Sequence, residues 1–314
     1  MTKQMGFAEA LLAPGFGRNA RLERIAALID WVPLERLLAP LHKAELGRPP
    51  YSSLSMFKAL LLQQWYGLSD PGLEEALGDR VSFRRFCGFD LSKLTPDETT
   101  FCRFRAALAA AGLAQALFAE VGRQLDAKGF MLKRGTLLDA TLVRAAVRPP
   151  TAEEGHDAAI DPEARWVVRD DPKKKTYGYK AHVAADQGSG LIRKALLTPA
   201  NVHDSIPADE LVQGDERAIY ADRGYDKAER RRALRARGIK DRIMHKAQRG
   251  RPLTDRQRRR NRLIAAIRAA VEAIFGTWKR GYGYVRVRYR GLRRNHAHLQ
   301  LLCIAFNLRR AIAR

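Results

Sequence analysis

Residues 135–143 read Gly135-Thr-Leu-Leu-Asp139-Ala-Thr-Leu-Val143. Aliphatic and β-branched side chains fill this run around a single acid, a composition that favours an extended strand. Side chains alternate along a strand, so Leu138, Ala140 and Leu142 share one face while Asp139, Thr141 and Val143 take the other. An ionised carboxylate in the middle of a central strand needs a partner or a metal. The strand therefore predicts both a sheet and a reason for one polar residue inside it.

Moving outward, residues 177–185 and 191–197 read as two further strands around the turn Gln187-Gly188-Ser189-Gly190, giving a three-strand antiparallel meander. Between the first two strands lies a polar insertion at about 148–175, punctuated by Pro149-Pro150, Asp161-Pro162 and Asp170-Asp171-Pro172. It reads as a long loop, anchored at Trp166. Residues 218–221 make a fourth strand ending at Asp222, residues 227–237 a basic helix, residues 240–245 a fifth strand, and residues from Thr254 to about Phe275 a long helix. Strands alternating with helices after a meander predict an α/β unit, a mixed sheet flanked by helices, over residues 129–314.

Residues 1–128 read differently. Leu22, Ile25, Leu28 and Ile29 recur at helical spacing, as do Leu54, Phe57, Leu61, Trp65 and Leu68. Ser69-Asp70-Pro71 supplies cap residues and an early proline for a helix through Leu73, Ala76 and Leu77, and Asp97 to Thr100 can cap another from Phe101. Short helices joined by tight turns fit an all-helical DNA-reading domain, and fit a scaffold or dimer surface equally well.

Charge is divided unevenly. Residues 1–222 hold 29 basic and 29 acidic side chains and residues 223–314 hold 28 and 5, so the whole net charge of +23 lies beyond Asp222. Such a segment attracts a polyanion, and counterion release makes nucleic acid the first candidate, ahead of a membrane surface. Glu272 is the only carboxylate among positions 256–314, where sixteen Lys and Arg surround it. A segment that only coats phosphate has no use for that acid. One that cleaves phosphodiesters needs carboxylates to hold divalent metal against the backbone.

On the long helix Ile264, Ile267, Val271, Ile274 and Trp278 form the buried stripe, and Glu272 stands about 100° from Val271 at its border. Arg268, Glu272 and Lys279 share a second stripe, provided the helix continues past Gly276. The plain alternative is an Arg268 to Glu272 helix pair worth a few tenths of a kcal/mol. Asp222 precedes Arg223-Gly224-Tyr225, a turn at a strand's carboxyl end, where open α/β sheets place ligands. If the first and fourth strands are neighbours, Asp139 and Asp222 converge. Two strand-borne aspartates, a helical glutamate and a basic surround supply the hard oxygen ligands and phosphate affinity of two-metal phosphoryl transfer, with two Mg²⁺ ions, or Mn²⁺ in their place.

These residues resemble the bacterial DDE-class insertion-sequence transposases, nearest the family named after insertion sequence number five. The resemblance rests on Leu-Leu-Asp139-Ala-Thr, on Tyr-Ala-Asp222-Arg-Gly-Tyr225-Asp226, and on Arg268-Ala-Ala-Val-Glu272 with six residues before Lys279. Residues 48–108, with Trp65-Tyr66-Gly-Leu-Ser-Asp70 and Phe101-Cys-Arg-Phe-Arg105, are similar to that family's N-terminal domain, and Asn201-Val-His203-Asp204 also matches. The resemblance implies an RNase H-like fold with Asp139, Asp222 and Glu272 as catalytic metal ligands. It implies action on double-stranded DNA at the element's terminal inverted repeats and at target DNA, with assembly as a homodimer or higher. Lys279, Arg268, Arg280 and Arg223 become the candidate DNA contacts, Arg268 steadying Glu272 or a phosphate. His203, Asp204 and Tyr225 are expected around the acids, although capping or turn chemistry accounts for His203 and Asp204 nearly as well. Many family members carry Tyr three residues before the motif's Arg, where this chain has Ala265.

The remaining features bound the reading. The longest uncharged stretches, 106–119 and 295–308, fall short of the roughly 18 apolar residues of a membrane span. The N-terminus shows no signal-peptide pattern, because Glu9 interrupts its apolar stretch and Pro14-Gly15 follows, so a bacterial cytoplasmic, nucleoid-associated location is expected. Cys87, Cys102 and Cys303 are widely spaced and lack any CxxC or Cys/His set, so they read as packed thiols. His182, His245, His296 and His298 read as packing or phosphate-contacting residues. Two rivals stand beside the transposase: a non-catalytic DNA-binding protein derived from one, and a metal nuclease without strand transfer.

Overall fold

The computed structural model describes residues 15–41, 51–151, 160–168 and 175–314. The N-terminal stretch read for a leader, and 152–159 and 169–174 of the polar insertion, lie outside the described residues. The chain divides into two compact units, Met1–Lys128 with Gln300–Arg314, and Gly129–Leu299.

The second unit is built on the expected mixed sheet flanked by helices. Its strands are β1 (Thr136–Arg144), β2 (Arg165–Val168), β3 (Lys175–Asp186), β4 (Ile192–Pro199), β5 (Ala218–Ala221) and β6 (Lys240–Ile243). The order is β2-β3-β1-β5-β6, with β4 also on β3. Strand β3 is antiparallel to β1, β2 and β4, whereas β5 is parallel to β1 and to β6. Strands β2 and β4 share one edge of β3, and the change of partner falls at Gly178 and Tyr179. A Cβ at Gly178 would stand 2.3 Å from the Val143 carbonyl oxygen, so glycine is what lets β1 and β3 approach there.

One face of this sheet packs on the short helix α8 (Ala208–Leu211) and on α9 (Ala228–Ala236), through a core that includes Leu138, Ile219, Ala221, Leu211 and Leu234. Helix α10 (Asp255–Gly281) opens on a capping box of Thr254 with Gln257 and runs past Gly276 to the last turn, which carries Lys279. Helix α11 (Leu292–Ile312) begins in this unit.

The insertion departs from the expected loop, since β2 lies within it. Trp166 is 43% exposed against Tyr177, so it is not the anchor. Asp161 is. Fully buried, it accepts the Tyr179 hydroxyl at 2.7 Å and the Gly291 amide at 3.3 Å, and Glu163 accepts the Leu292 amide at 2.8 Å. Two acids thus meet the positive end of α11, the terminus they stabilise. Asp161 carried no apolar pattern around it that could have marked it.

The first unit contains α1 (Ala20–Leu28), α2 (Val32–Leu38), α3 (Ser53–Tyr66), α4 (Asp70–Asp79), α5 (Val81–Cys87), α6 (Glu98–Ala110) and α7 (Leu113–Ala127). The expected caps are in place. Ser69 accepts the Gly72 amide at 3.1 Å, Asp97 accepts the Thr100 amide at 2.6 Å, and Gly67 closes α3 in the left-handed region at φ 65°. Gln300–Arg314 joins this unit rather than the sheet. Its apolar run, buried at Leu301, Leu302, Ile304 and Leu308, needs cover on every side, and the Trp65 indole donates to the Ala305 carbonyl at 2.8 Å. Cys87 and Cys303 are buried as expected, whereas Cys102 is exposed. Among the described residues no single helix is long and apolar enough to cross a membrane.

Asp70 does more than open α4. Both its oxygens accept from Arg105, at 2.8 and 2.6 Å, and Gln63 donates to one of them at 2.6 Å. Helices α3, α4 and α6 are thereby tied at one carboxylate. Arg105→Ala should lower the unfolding free energy by about 2–3 kcal/mol, a partly exposed version of the cost of breaking a buried pair. Urea denaturation followed by circular dichroism checks this, and a loss under about 0.5 kcal/mol would show that the tie is idle.

Candidate active site

The parallel pairing of β1 and β5 decides where the two aspartates stand. Thr136 pairs with Ile219 and Leu137 with Tyr220, so the same offset carried onward sets Asp139 level with Asp222. Alternation gives both the same face. Leu138 and Ala221 belong to the core against α8 and α9, which leaves Asp139 and Asp222 on the opposite face. Asp222 is extended at φ −76°, ψ 178°, and caps the turn after β5 by accepting the Gly224 amide at 2.7 Å.

Helix α10 crosses that face. Near its start Arg260 donates to the carbonyl of Ile243, the last residue of β6, at 2.7 Å, and Asn261 exchanges hydrogen bonds with the backbone of His245, just past that strand, at 2.9 and 3.0 Å. Eight residues on, Arg268 reaches Asp139 of β1 with Nη2 3.1 Å from Oδ2. Eight helical residues span about 12 Å, and two strand spacings about 9.6 Å. The helix therefore passes from β6 over β5 to β1 at the level of the aspartates.

Arg268 thus serves Asp139 and not Glu272, which corrects the expected i to i+4 pair. Glu272 is exposed and has no hydrogen-bond or ion-pair partner among the described residues. Burial pushes the Asp139 carboxyl up to about 6, against the pull of Arg268 and of the Ala140 amide, and Asp222 and Asp204 push the same way as burial. Asp139 is largely buried and has a single cationic neighbour among the described residues, so it is under-compensated.

The other expected residues separate. Tyr225 is fully buried, its hydroxyl has no partner among the described residues, and burial followed by Asp204, Asp139 and Asp222 raises its phenol well above the ordinary value. Asp204 pairs with Lys180 at 2.7 Å, and Lys180 also donates to the Val202 carbonyl at 2.7 Å. Register sets Lys180 and His182 opposite Leu142 and Ala140, on the face away from Asp139. His182, bonded to Thr198 at 2.9 Å, is held down to about 4 by burial. His182 is thus packed, one of the two roles read for it, whereas Lys180 went unread because nothing in a lone strand pattern shows which loop will cover it. His203 is an exposed turn residue whose Nδ1 accepts the Ser205 amide at 3.2 Å, the turn chemistry that also accounts for it in the sequence. Lys279, Arg280 and Arg223 are exposed.

Asp139 and Asp222 offer the hard oxygen donors that a divalent cation takes, and the under-compensated Asp139 fits such a partner. Among the described residues no group of three or more His, Cys, Asp or Glu is gathered closely enough to hold a metal, so Glu272 does not complete a set here.

The pairing predicts a pH-dependent stability. Arg268→Ala leaves Asp139 charged and without its counter-ion above pH 7, at a cost of about 1–3 kcal/mol. Near pH 5 Asp139 is largely protonated and the same substitution should cost much less, since a raised carboxylate pKa means stability is lost as pH rises through it. Thermal melts of both proteins at pH 5 and pH 8 test this, and an equal difference at the two pH values would contradict it.

Residues 131–308 match the transposase DDE domain family, and residues 13–107 match a transposase domain family, DUF772. A structural likeness joins 92% of this chain to 73% of the chain in a cryo-EM structure of the piggyBac transposase synaptic complex with hairpin DNA, at 13% identity and a TM-score of 0.45. The assignment rests on the family matches, of which the first spans more than half the chain. Its segment holds both aspartates, the helix that crosses them and Glu272, and the chain belongs to the DDE-domain transposases.

Proposed function

We propose that this transposase is of the insertion-sequence-five kind, a bacterial enzyme that cuts at the inverted-repeat ends of its own element and joins the freed ends to target DNA. The observation that carries the reading is the level placement of Asp139 and Asp222 beneath α10. In the first step water attacks a phosphorus and the bond to the 3′-oxygen breaks, leaving a 3′-hydroxyl. In the second that hydroxyl attacks a target phosphorus, and a target strand's 3′-oxygen leaves.

Asp139 and Asp222 would hold Mg²⁺, or Mn²⁺ in its place, with Glu272 as the third ligand. The bound ions would supply charge neutralisation at phosphorus and activation of the attacking water or hydroxyl. Glu272 lies four residues beyond Arg268, about 6 Å further along the helix, and its exposure leaves it available to close on the pair. Arg268 holds the charge of Asp139 until then. Lys279, Arg280 and Arg223 would grip DNA phosphates, with Lys279 and Arg280 on the last turn of the helix that carries Glu272. Asp204 and Tyr225 would position the aspartates. Residues 1–128 would serve DNA binding and assembly, as a dimer or larger on paired ends, in the cytoplasm at the nucleoid. A DNA binder that has lost catalysis is the second reading, and the intact acids weigh against it.

Glu272→Gln should abolish metal-dependent strand cleavage while leaving DNA binding within about twofold of wild type. Joint loss of binding and cleavage would remove Glu272 from the ligand set. Lys279→Ala should weaken binding to the element's ends and reduce the slope of log affinity against log salt by about one. Fluorescence anisotropy across a KCl series reads this, and an unaltered slope would take Lys279 off the DNA.

A further inference from the structure

The outer edge of the sheet carries a basic cleft apart from the aspartates. It occupies about 480 Å³ beside β6 and is lined by Arg231, Arg235, Lys240, Arg242 and Arg260, with His245 and a single acid, Asp241. Asp241 alone receives Arg231 at 2.9 Å, Arg235 at 2.9 Å and Arg260 at 3.1 Å. Asp226, outside the lining, takes a second bond from Arg231 at 2.8 Å. Five cations against one lining carboxylate leave a surplus of positive charge.

Crowding shows in the neighbours. Burial and then Arg231 hold the Arg260 guanidinium below its ordinary value, and burial, Arg231 and Arg260 do the same to His245. The buried Arg231 and the half-buried Arg260 are fixed, since both donate to the Ile243 carbonyl, at 3.1 and 2.7 Å. Lys240 and Arg242 are exposed at the rim with no ion pair among the described residues. A rigid guanidinium floor with free cations at its lip is suited to a tetrahedral oxyanion with several acceptor oxygens.

The strand that carries the cleft also neighbours the strand that leads to Asp222. Ala221 pairs with Ile243, and the Met244 amide donates to the Ala221 carbonyl at 3.0 Å, so the end of β6 lies beside the residue that precedes Asp222. The turn from Asp222 to Asp226 then runs to Arg231. One strand spacing, about 4.8 Å, separates β6 from β5.

We propose that this cleft binds a backbone phosphate of the DNA strand that lies at Asp139 and Asp222, outside the cleaved position. The inference rests on the transposase reading for its ligand, and it makes α10 a ruler with a phosphate grip at Arg260 and the reacting bond near Arg268. Free phosphate shares the chemistry, and the test separates the two.

Lys240→Ala combined with Arg242→Ala, in the full chain, removes exposed cations and leaves the packed arginines alone. Anisotropy with labelled duplex carrying the gene's flanking sequence, without divalent metal, should show the salt slope reduced by about one and affinity down about fivefold or more at 0.1 M salt. Duplexes with one methylphosphonate at successive positions should reveal a site whose neutralisation weakens wild type but not the double variant. An unchanged slope, or a methylphosphonate profile identical in the two proteins, would overturn the proposal. So would saturable binding of inorganic phosphate at constant ionic strength that is lost in the variant while its DNA slope stays the same. Cleavage by wild type alongside such a negative result would sink the cleft and spare the transposase chemistry.

Discussion

A carboxylate on a central strand loses water to the strands on either side, and Asp139, between β3 and β5, is in that position. Its charge must be answered from above the sheet. Arg268 answers it at 3.1 Å, and Arg268 can reach only if α10 crosses the sheet at that height. The crossing is fixed at its other end by Asn261 on the His245 backbone and by Arg260 on the Ile243 carbonyl. The position of Glu272 and Lys279 follows from that one trajectory, because they share a helix with Arg268 that does not break at Gly276.

The same arrangement explains why the site is poor in compensation. Asp139 and Asp222 stand level on one face and repel each other, burial adds to the cost, and one guanidinium and one amide oppose it. A protein selected only for stability would replace such a pair with apolar residues, as buried ionic groups seldom contribute net stability. Their presence under a basic helix fits the proposed site for a divalent cation and a phosphodiester.

Much of this was legible in the sequence. The alternation around Asp139, the strand ending at Asp222 and the periodic stripe of α10 are local signals, and each element appears within a few residues of its expected bounds. Partner choice is not local. Spacing alone favoured Arg268 with Glu272, but a solvated helix pair is weak, whereas the buried Asp139 has a large desolvation cost to offset. The insertion was read by its prolines as loop, yet four residues of it add β2 to the free edge of β3. Gln300–Arg314 was assigned by sequence order, while its packing against the helical unit depends on Trp65, far away in the chain.

The most direct test of the central claim, that two level aspartates and a glutamate make a metal-dependent strand-cleaving centre, is incubation of purified protein with labelled DNA carrying the gene's flanking sequence. Wild type and Asp222→Asn would each be assayed with Mg²⁺ and with EDTA. Cuts at defined ends are expected with Mg²⁺ in wild type alone. Binding without cleavage in wild type under conditions that assemble paired ends, or cuts that survive EDTA or Asp222→Asn, would contradict it.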